Sequence, residues 1–203
     1  SSGTDFYRAL VSLSQTPVDL VPGADEPETL LARSQDWPQL DDFREVMMYL
    51  DTLVYLPGDI LTKVDRASMA TSLEARVPFL DNDVIDFAWS LPTDMKLRDG
   101  KSKWALRQVL ERYVPNELVD RPKMGFGIPI EHWLRRDLRD WAEDLLSPSC
   151  LAHGGYFDVA KVRTLWEENC SGKGRHHHQL WAILMFQSWR FSSPVAGLVK
   201  QQD

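Results

Sequence analysis

Apolar residues recur three and four positions apart along most of the chain, the spacing of one face of an α-helix. Phe6, Leu10 and Leu13 predict a first helix, which Thr4 can cap. Pro17 to Glu28 is turn-rich, and a short helix is expected over Glu28 to Arg33. After Pro38, the residues Phe43, Val46, Met47, Leu50, Leu53 and Val54 form the stripe of a long amphipathic helix. Pro57-Gly58 is expected to break that helix, leaving Asp59 to cap a central helix over residues 59–74. Ile60, Val64, Ala67 and Thr71 would give it a buried face, with Arg66, Ala70 and Glu74 on another. A stop near Glu74 follows from Pro78, which disfavours helical geometry at Val77.

Further along, Asp81 is placed to cap a helix carrying Val84, Ile85, Ala88 and Trp89, which Leu91-Pro92 ends. Pro92 to Gly100 reads as a loop with a short extended piece around Met95–Leu97. Helical period returns over Ser102 to Tyr113, and Pro115 to Val119 makes one more turn. Arg121 to Pro129 holds two glycines and two prolines and reads as a loop. Helices then fit Ile130 to Arg136, Leu138 to Leu146, Val159 to Asn169 and His178 to Phe191. No internal repeat and no alternating strand pattern emerges, so the fold expected is mainly α. The chain reads as a single helical unit over 1–203, with 1–3 as a tag or loop remnant and 194–203 as a tail.

Composition narrows the function classes. A hydrophobic share of 43% with 26% charged residues is ordinary for a soluble globular protein. A net charge of −7 argues against a nucleic-acid surface, which needs basic excess. No stretch approaches the ~20 apolar residues of a membrane span, and no secretory signal opens the chain. Cys150 and Cys170 lack metal-ligand spacing and read as reduced cytosolic thiols, a structural disulfide being the alternative. The eight tryptophans lie within helical patterns, which places most of them in the core.

Three clusters could carry chemistry. Lys96 to Arg107 sets five cations against one anion, with Gly100 giving a turn and Lys101 and Lys103 expected in the first turn of the next helix. Cations there face the positive end of the helix dipole, a placement that a bound anion would reverse; a solvated lysine pair explains the same spacing. The second cluster is the loop around Arg121, Lys123 and Gly125. Pro122 fixes its backbone, its glycines permit close approach, and its lysine could act as a cation over phosphates. The third is Asp65, Arg66, Glu74 and Arg76, readable as a buried ion-pair network fixing a helix end or as the wall of a pocket. His176-His177-His178 invites a metal reading, but successive helical residues point about 100° apart and cannot share one ion.

The stretches LTKVDRASMATSLEARVPFLD, RDGKSKWALRQVL and DRPKMGFGIP, in that order, resemble the synthetase domain of glutamine-hydrolysing asparagine synthetases. The likeness is closest to the bacterial amidotransferase subgroup linked to exopolysaccharide and exosortase clusters, and it covers nearly the whole chain. It implies the helical C-terminal portion of an α/β PP-loop domain (adenine nucleotide α-hydrolase-like), without its parallel sheet. The sequence has no SGGxDS pyrophosphate loop, no SGEGSDE-like acidic motif and no N-terminal cysteine nucleophile.

The resemblance further implies an ATP-dependent asparagine synthase acting on aspartate, or a similar carboxylate, with glutamine-derived ammonia from a glutaminase half. Lys103 takes the place of the family's phosphate-contacting lysine. Lys123 takes that of the lysine near the acyl-adenylate or the departing pyrophosphate. Asp65, Arg66, Glu74, Arg76, Lys101, Arg121 and Gly125 would bind nucleotide or substrate, or support the lysines. ATP and Mg²⁺ are the cofactors implied, held mainly by parts outside this chain, in a cytoplasmic enzyme with no nucleic-acid or membrane partner. A homo-oligomer is left open, as are another acceptor carboxylate and a non-catalytic helical module.

Overall fold

The computed structural model describes residues 3–14, 16–25, 27–120 and 127–192. The fold is mainly α among the described residues. Among the described residues the sheet is one antiparallel pair, β1 (Leu97–Arg98) with β2 (Lys101–Ser102). The α-helices in order are α1 (Gly3–Val11), α2 (Phe43–Leu50), α3 (Thr62–Met69), α4 (Asn82–Ser90), α5 (Thr93–Lys96), α6 (Trp104–Leu110), α7 (Asn116–Val119), α8 (Ile130–Arg135), α9 (Arg139–Leu145), α10 (Pro148–Gly154), α11 (Val159–Ser171) and α12 (His177–Ser192). The chain divides into two compact units, residues 1–29 with 126–203 and residues 30–125.

The first unit holds a closed core. Ile130 and Leu134 of α8, Ala142 of α9, Leu151 of α10, Val162 and Trp166 of α11, and Leu180, Ile183 and Leu184 of α12 pack together with Leu146. Side-chain caps start two of these helices: Ser147 accepts from the Cys150 N–H at 3.4 Å, and Asp158 from the Lys161 N–H at 3.0 Å. Gln187 is fully buried, and its amide donates to the Leu145 and Cys150 carbonyls at 3.3 and 3.5 Å. It therefore caps the open end of α9 and ties α12 to α10. Glu143 receives Arg163 at 2.7 Å and the Trp166 indole N–H, which joins α9 to α11.

The second unit is built differently. Asp42 caps α2 by accepting the Arg44 N–H at 2.8 Å. The chain then runs helically from Phe43 to Met69, through an 11-residue π segment, Asp51–Leu61, that contains Pro57. Pro57 therefore does not break the helix, and Asp59 does not cap a new one. A proline in an α register lacks its N–H and strikes the carbonyl four residues back. The wider π turn passes the ring, and Asp59 instead pairs with Lys63 one turn on, at 2.8 Å.

The stop also comes earlier than Glu74. The Leu73 N–H bonds the Ser68 carbonyl at 3.0 Å and the Ser72 N–H bonds the Met69 carbonyl at 2.9 Å, with Ser72 at φ 59°. This is a Schellman close around a left-handed residue, and it acts before Pro78 can. The expected buried face is not buried: Val64 is 43% exposed, and Ala67 and Thr71 are exposed as well. Leu50 is the one buried apolar residue of this unit among those described. An apolar helix stripe needs a second layer to cover it, and among the described residues of this unit none does. The short helix expected over Glu28 to Arg33 is replaced by a turn, closed by the Trp37 indole on the Leu30 carbonyl at 2.9 Å. Of the eight tryptophans only Trp166 is buried; Trp141 and Trp181 pack against the core half-buried, while Trp89 and Trp189 are exposed.

Candidate functional site

Asp99-Gly100, with φ 50° and 75°, forms a two-residue turn between β1 and β2. That dipeptide suits a primed turn, whose twist matches the strands it joins. The hairpin moves Lys101 out of the helix start where the sequence pattern placed it and into β2, opposite Arg98. Lys103 is likewise not inside the helix; it is the residue just before α6, with φ 59° and ψ 37°. Both lysines are exposed. Met95, expected in an extended piece, lies in α5, and the Thr93 hydroxyl bonds Glu45 of α2 at 3.0 Å.

The five cations of this segment differ in their surroundings. Lys96 Nζ lies 5.2 Å from the Trp89 ring centre, and the Arg98 guanidinium 4.8 Å from that of Trp104, both within cation–π range. Arg107 Nη1 is 3.7 Å from the Asp120 carboxylate. Lys101 and Lys103 have no acidic partner within ion-pair distance among the described residues. The two ammonium groups left for an external anion are therefore the two nearest the start of α6. Lys101, Trp104, Arg107 and Asp120 also line a hollow of about 120 Å³. A whole nucleotide needs about 300 Å³ or more, so the hollow can take only a small polar group.

Residues 2–190 match the asparagine synthase family. The chain belongs to that family. It is similar to asparagine synthetase (glutamine-hydrolyzing) 1 of Bacillus subtilis strain 168, at 37% identity over 143 residues, which is 70% of this chain and 22% of the relative. It is similar also to asparagine synthetase (glutamine-hydrolyzing) of Bos taurus, 36% identical over 46% of this chain and 18% of the relative. Amidase chyE of Penicillium rubens is 26% identical over 67% of this chain and 22% of the relative. The chain thus spans about a fifth of the length of the curated relatives it matches. No solved structure matches it.

In this asparagine synthase family chain, Arg121, Lys123 and Gly125 lie outside the described residues. Asp65 and Arg66 stand on α3, exposed, and Glu74 pairs with Arg76 at 2.9 Å. With side chains 64% and 81% exposed, that pair is not the buried network one reading of the sequence expected. Residues 73–77, after α3, have no regular secondary structure and are exposed throughout. No hydrogen bond or ion pair among the described residues joins these four to Lys101 or Lys103.

Among the described residues no group of three or more His, Cys, Asp or Glu side chains could hold a metal ion, so no step is assigned to Mg²⁺ through them. His176 bonds Glu168 at 2.8 Å, and the His177 and His178 rings lie 4.3 Å apart. Burial pushes the Cys150 and Cys170 thiols up, away from the reactive thiolate. No helix is long and apolar enough to cross a membrane among the described residues.

The feature hidden from sequence reasoning is Arg107, whose Nε donates to the Ser102 carbonyl at 3.1 Å. Its signal was the Asp99-Gly100 pair, which calls for a hairpin ending where α6 begins.

Proposed function

We propose that the chain is the helical C-terminal part of a longer glutamine-hydrolysing asparagine synthase. In that enzyme an aspartate carboxylate oxygen attacks the α-phosphorus of ATP, breaking the α–β anhydride and expelling pyrophosphate. Ammonia from glutamine then attacks the acyl carbon, loses a proton and expels AMP. Activation is needed because a carboxylate is a poor electrophile. Lys103 and Lys123 offset the negative charge on the phosphates as the anhydride breaks, the work that fixed cations do best. Lys101 and Arg121 add to the positive field, Gly125 allows close approach, and Asp65, Arg66, Glu74 and Arg76 shape the surrounding pocket. Mg²⁺ is held by acidic groups outside this chain, in a cytoplasmic enzyme.

The observation that carries this reading is that Lys101 of β2 and Lys103 before α6 have no acidic partner among the described residues, in a chain of this family. The exposed apolar stripe of residues 43–69 supports a larger parent, since another layer of the longer chain would cover it. On this account the 203-residue chain alone turns over nothing. The test uses the full-length enzyme with ¹⁸O-labelled aspartate carboxylate. Label appearing in AMP, with one pyrophosphate released for each AMP, is the expected result; ADP and phosphate as products would reject the adenylation.

A further inference from the structure

Lys103 is one of three non-glycine residues at positive φ among those described, with Ser72 and Asp99. A long side chain in the left-handed region crowds its own backbone, so the conformation persists only where neighbours over-determine it. Ser72 closes a helix and Asp99 makes a turn, but Lys103 has no such local excuse.

What holds it is Arg107. The Arg107 main-chain N–H donates to the Lys103 carbonyl at 2.9 Å, and the Arg107 Nε donates to the Ser102 carbonyl at 3.1 Å. The first is the i→i−4 helical bond that any residue at 107 would make; the second belongs to the arginine side chain and fixes the peptide just before the Lys103 Cα. The guanidinium is itself tethered by Asp120 at 3.7 Å, and its side chain is 30% exposed. The arginine fork suits this task, since its N–H groups point in fixed directions while a lysine ammonium is a rotating point charge.

We infer that Arg107 is a positioning residue for Lys103, its side chain locking the peptide that precedes the lysine so that the stem leaves the backbone in a single direction. The inference rests on the phosphate role proposed above for Lys103. Arg107 itself touches no substrate in this account.

A double-mutant cycle on the full-length enzyme, read as aspartate-dependent pyrophosphate release, separates positioning from simple structural support. Lys103→Ala should lower turnover about 100-fold, the scale of losing one fixed charge donor. Arg107→Met should lower it about tenfold in the native background and not at all in Lys103→Ala, because there is no ammonium left to place. Arg107→Lys should not rescue, since it restores charge without the Nε donor. An equal loss in both backgrounds, or full rescue by Arg107→Lys, overturns the inference. Should Arg107→Met fail to fold, Asp120→Asn carries the cycle: it frees only the guanidinium end and should cost about twofold, again only when Lys103 is present. A twofold loss that persists in Lys103→Ala overturns the inference equally. Lys103→Ala with native turnover would instead sink the role given to Lys103, a result visible before any Arg107 variant is made.

Discussion

Asn169 is fully buried in the first unit, and neither end of its side-chain amide finds a hydrogen-bond partner among the described residues. Its main chain is engaged, because Arg135 Nε donates to the Asn169 carbonyl at 2.7 Å, but that bond does nothing for the side chain. Each unpaired buried polar end costs about 1–3 kcal/mol relative to water. Replacing Asn169 by leucine, which branches in the same way but is larger, removes both ends and adds about 0.5 kcal/mol of helix propensity within α11. Against this stands overpacking of about 1–3 kcal/mol in a packed core. The net gain is about 2 kcal/mol, or about 4–8 °C in Tm for a chain of this size. Urea unfolding followed by far-UV circular dichroism reads it: Asn169→Leu should raise the midpoint with an unchanged slope. A lower midpoint would show that the amide is satisfied, as by an internal water, and the reasoning would be wrong.

Other expectations follow from the same packing. Burial alone would push the Glu143 carboxyl up, but the Trp166 and Arg163 hydrogen bonds and the Arg163 and Arg139 charges outweigh it and hold the group below its usual 4.5. The unfolded chain then binds the proton first, so this stability is present above pH 4.5 and lost as pH falls through the folded value. Glu143→Gln should cost about 1 kcal/mol or less at pH 7, the carboxylate being half-exposed, and should remove that acid slope; a parallel slope in the variant would refute the assignment. Burial, then the His178 charge, lowers the His177 imidazole below 6.5, Arg135 and Arg175 lowering it further against Glu131. A depressed imidazole favours folding above pH 6.5 and loses that advantage as pH drops to its folded value, so His177→Gln should flatten the unfolding midpoint between pH 7.5 and 5.5. Amide hydrogen exchange should protect α11 and α12 far more than α2 and α3, since the buried cluster lies in the first unit; equal protection would contradict the burial pattern.

Much of the helical frame could be read from local chemistry. Asp81 does cap α4, accepting the Asp83 N–H at 3.0 Å, and α7 and α8 begin within a residue of their expected starts. These boundaries depend on capping side chains and prolines, whose effects stay local. Pro57 misled because a break was only one outcome of its missing N–H, and a widened register was the other. Ser72 and Lys103 could not be foreseen from identity, since nothing in serine or lysine asks for positive φ. Gln187 and Asn169 look alike as polar residues in apolar stripes. Only their distant neighbours decide that one is satisfied and the other is not. The site was legible as a set of residue types on two lysine-bearing segments. The grip of Arg107 on Ser102 was not, because it depends on a hairpin that the pattern reduced to a turn.

The account depends on two lysines, from segments twenty positions apart, working on one phosphate-derived anion. Aspartate-dependent pyrophosphate release by full-length Lys123→Ala tests this most directly. A fall of about 100-fold or more, with the unfolding midpoint unchanged, is the predicted result. Release at the native rate would contradict the account.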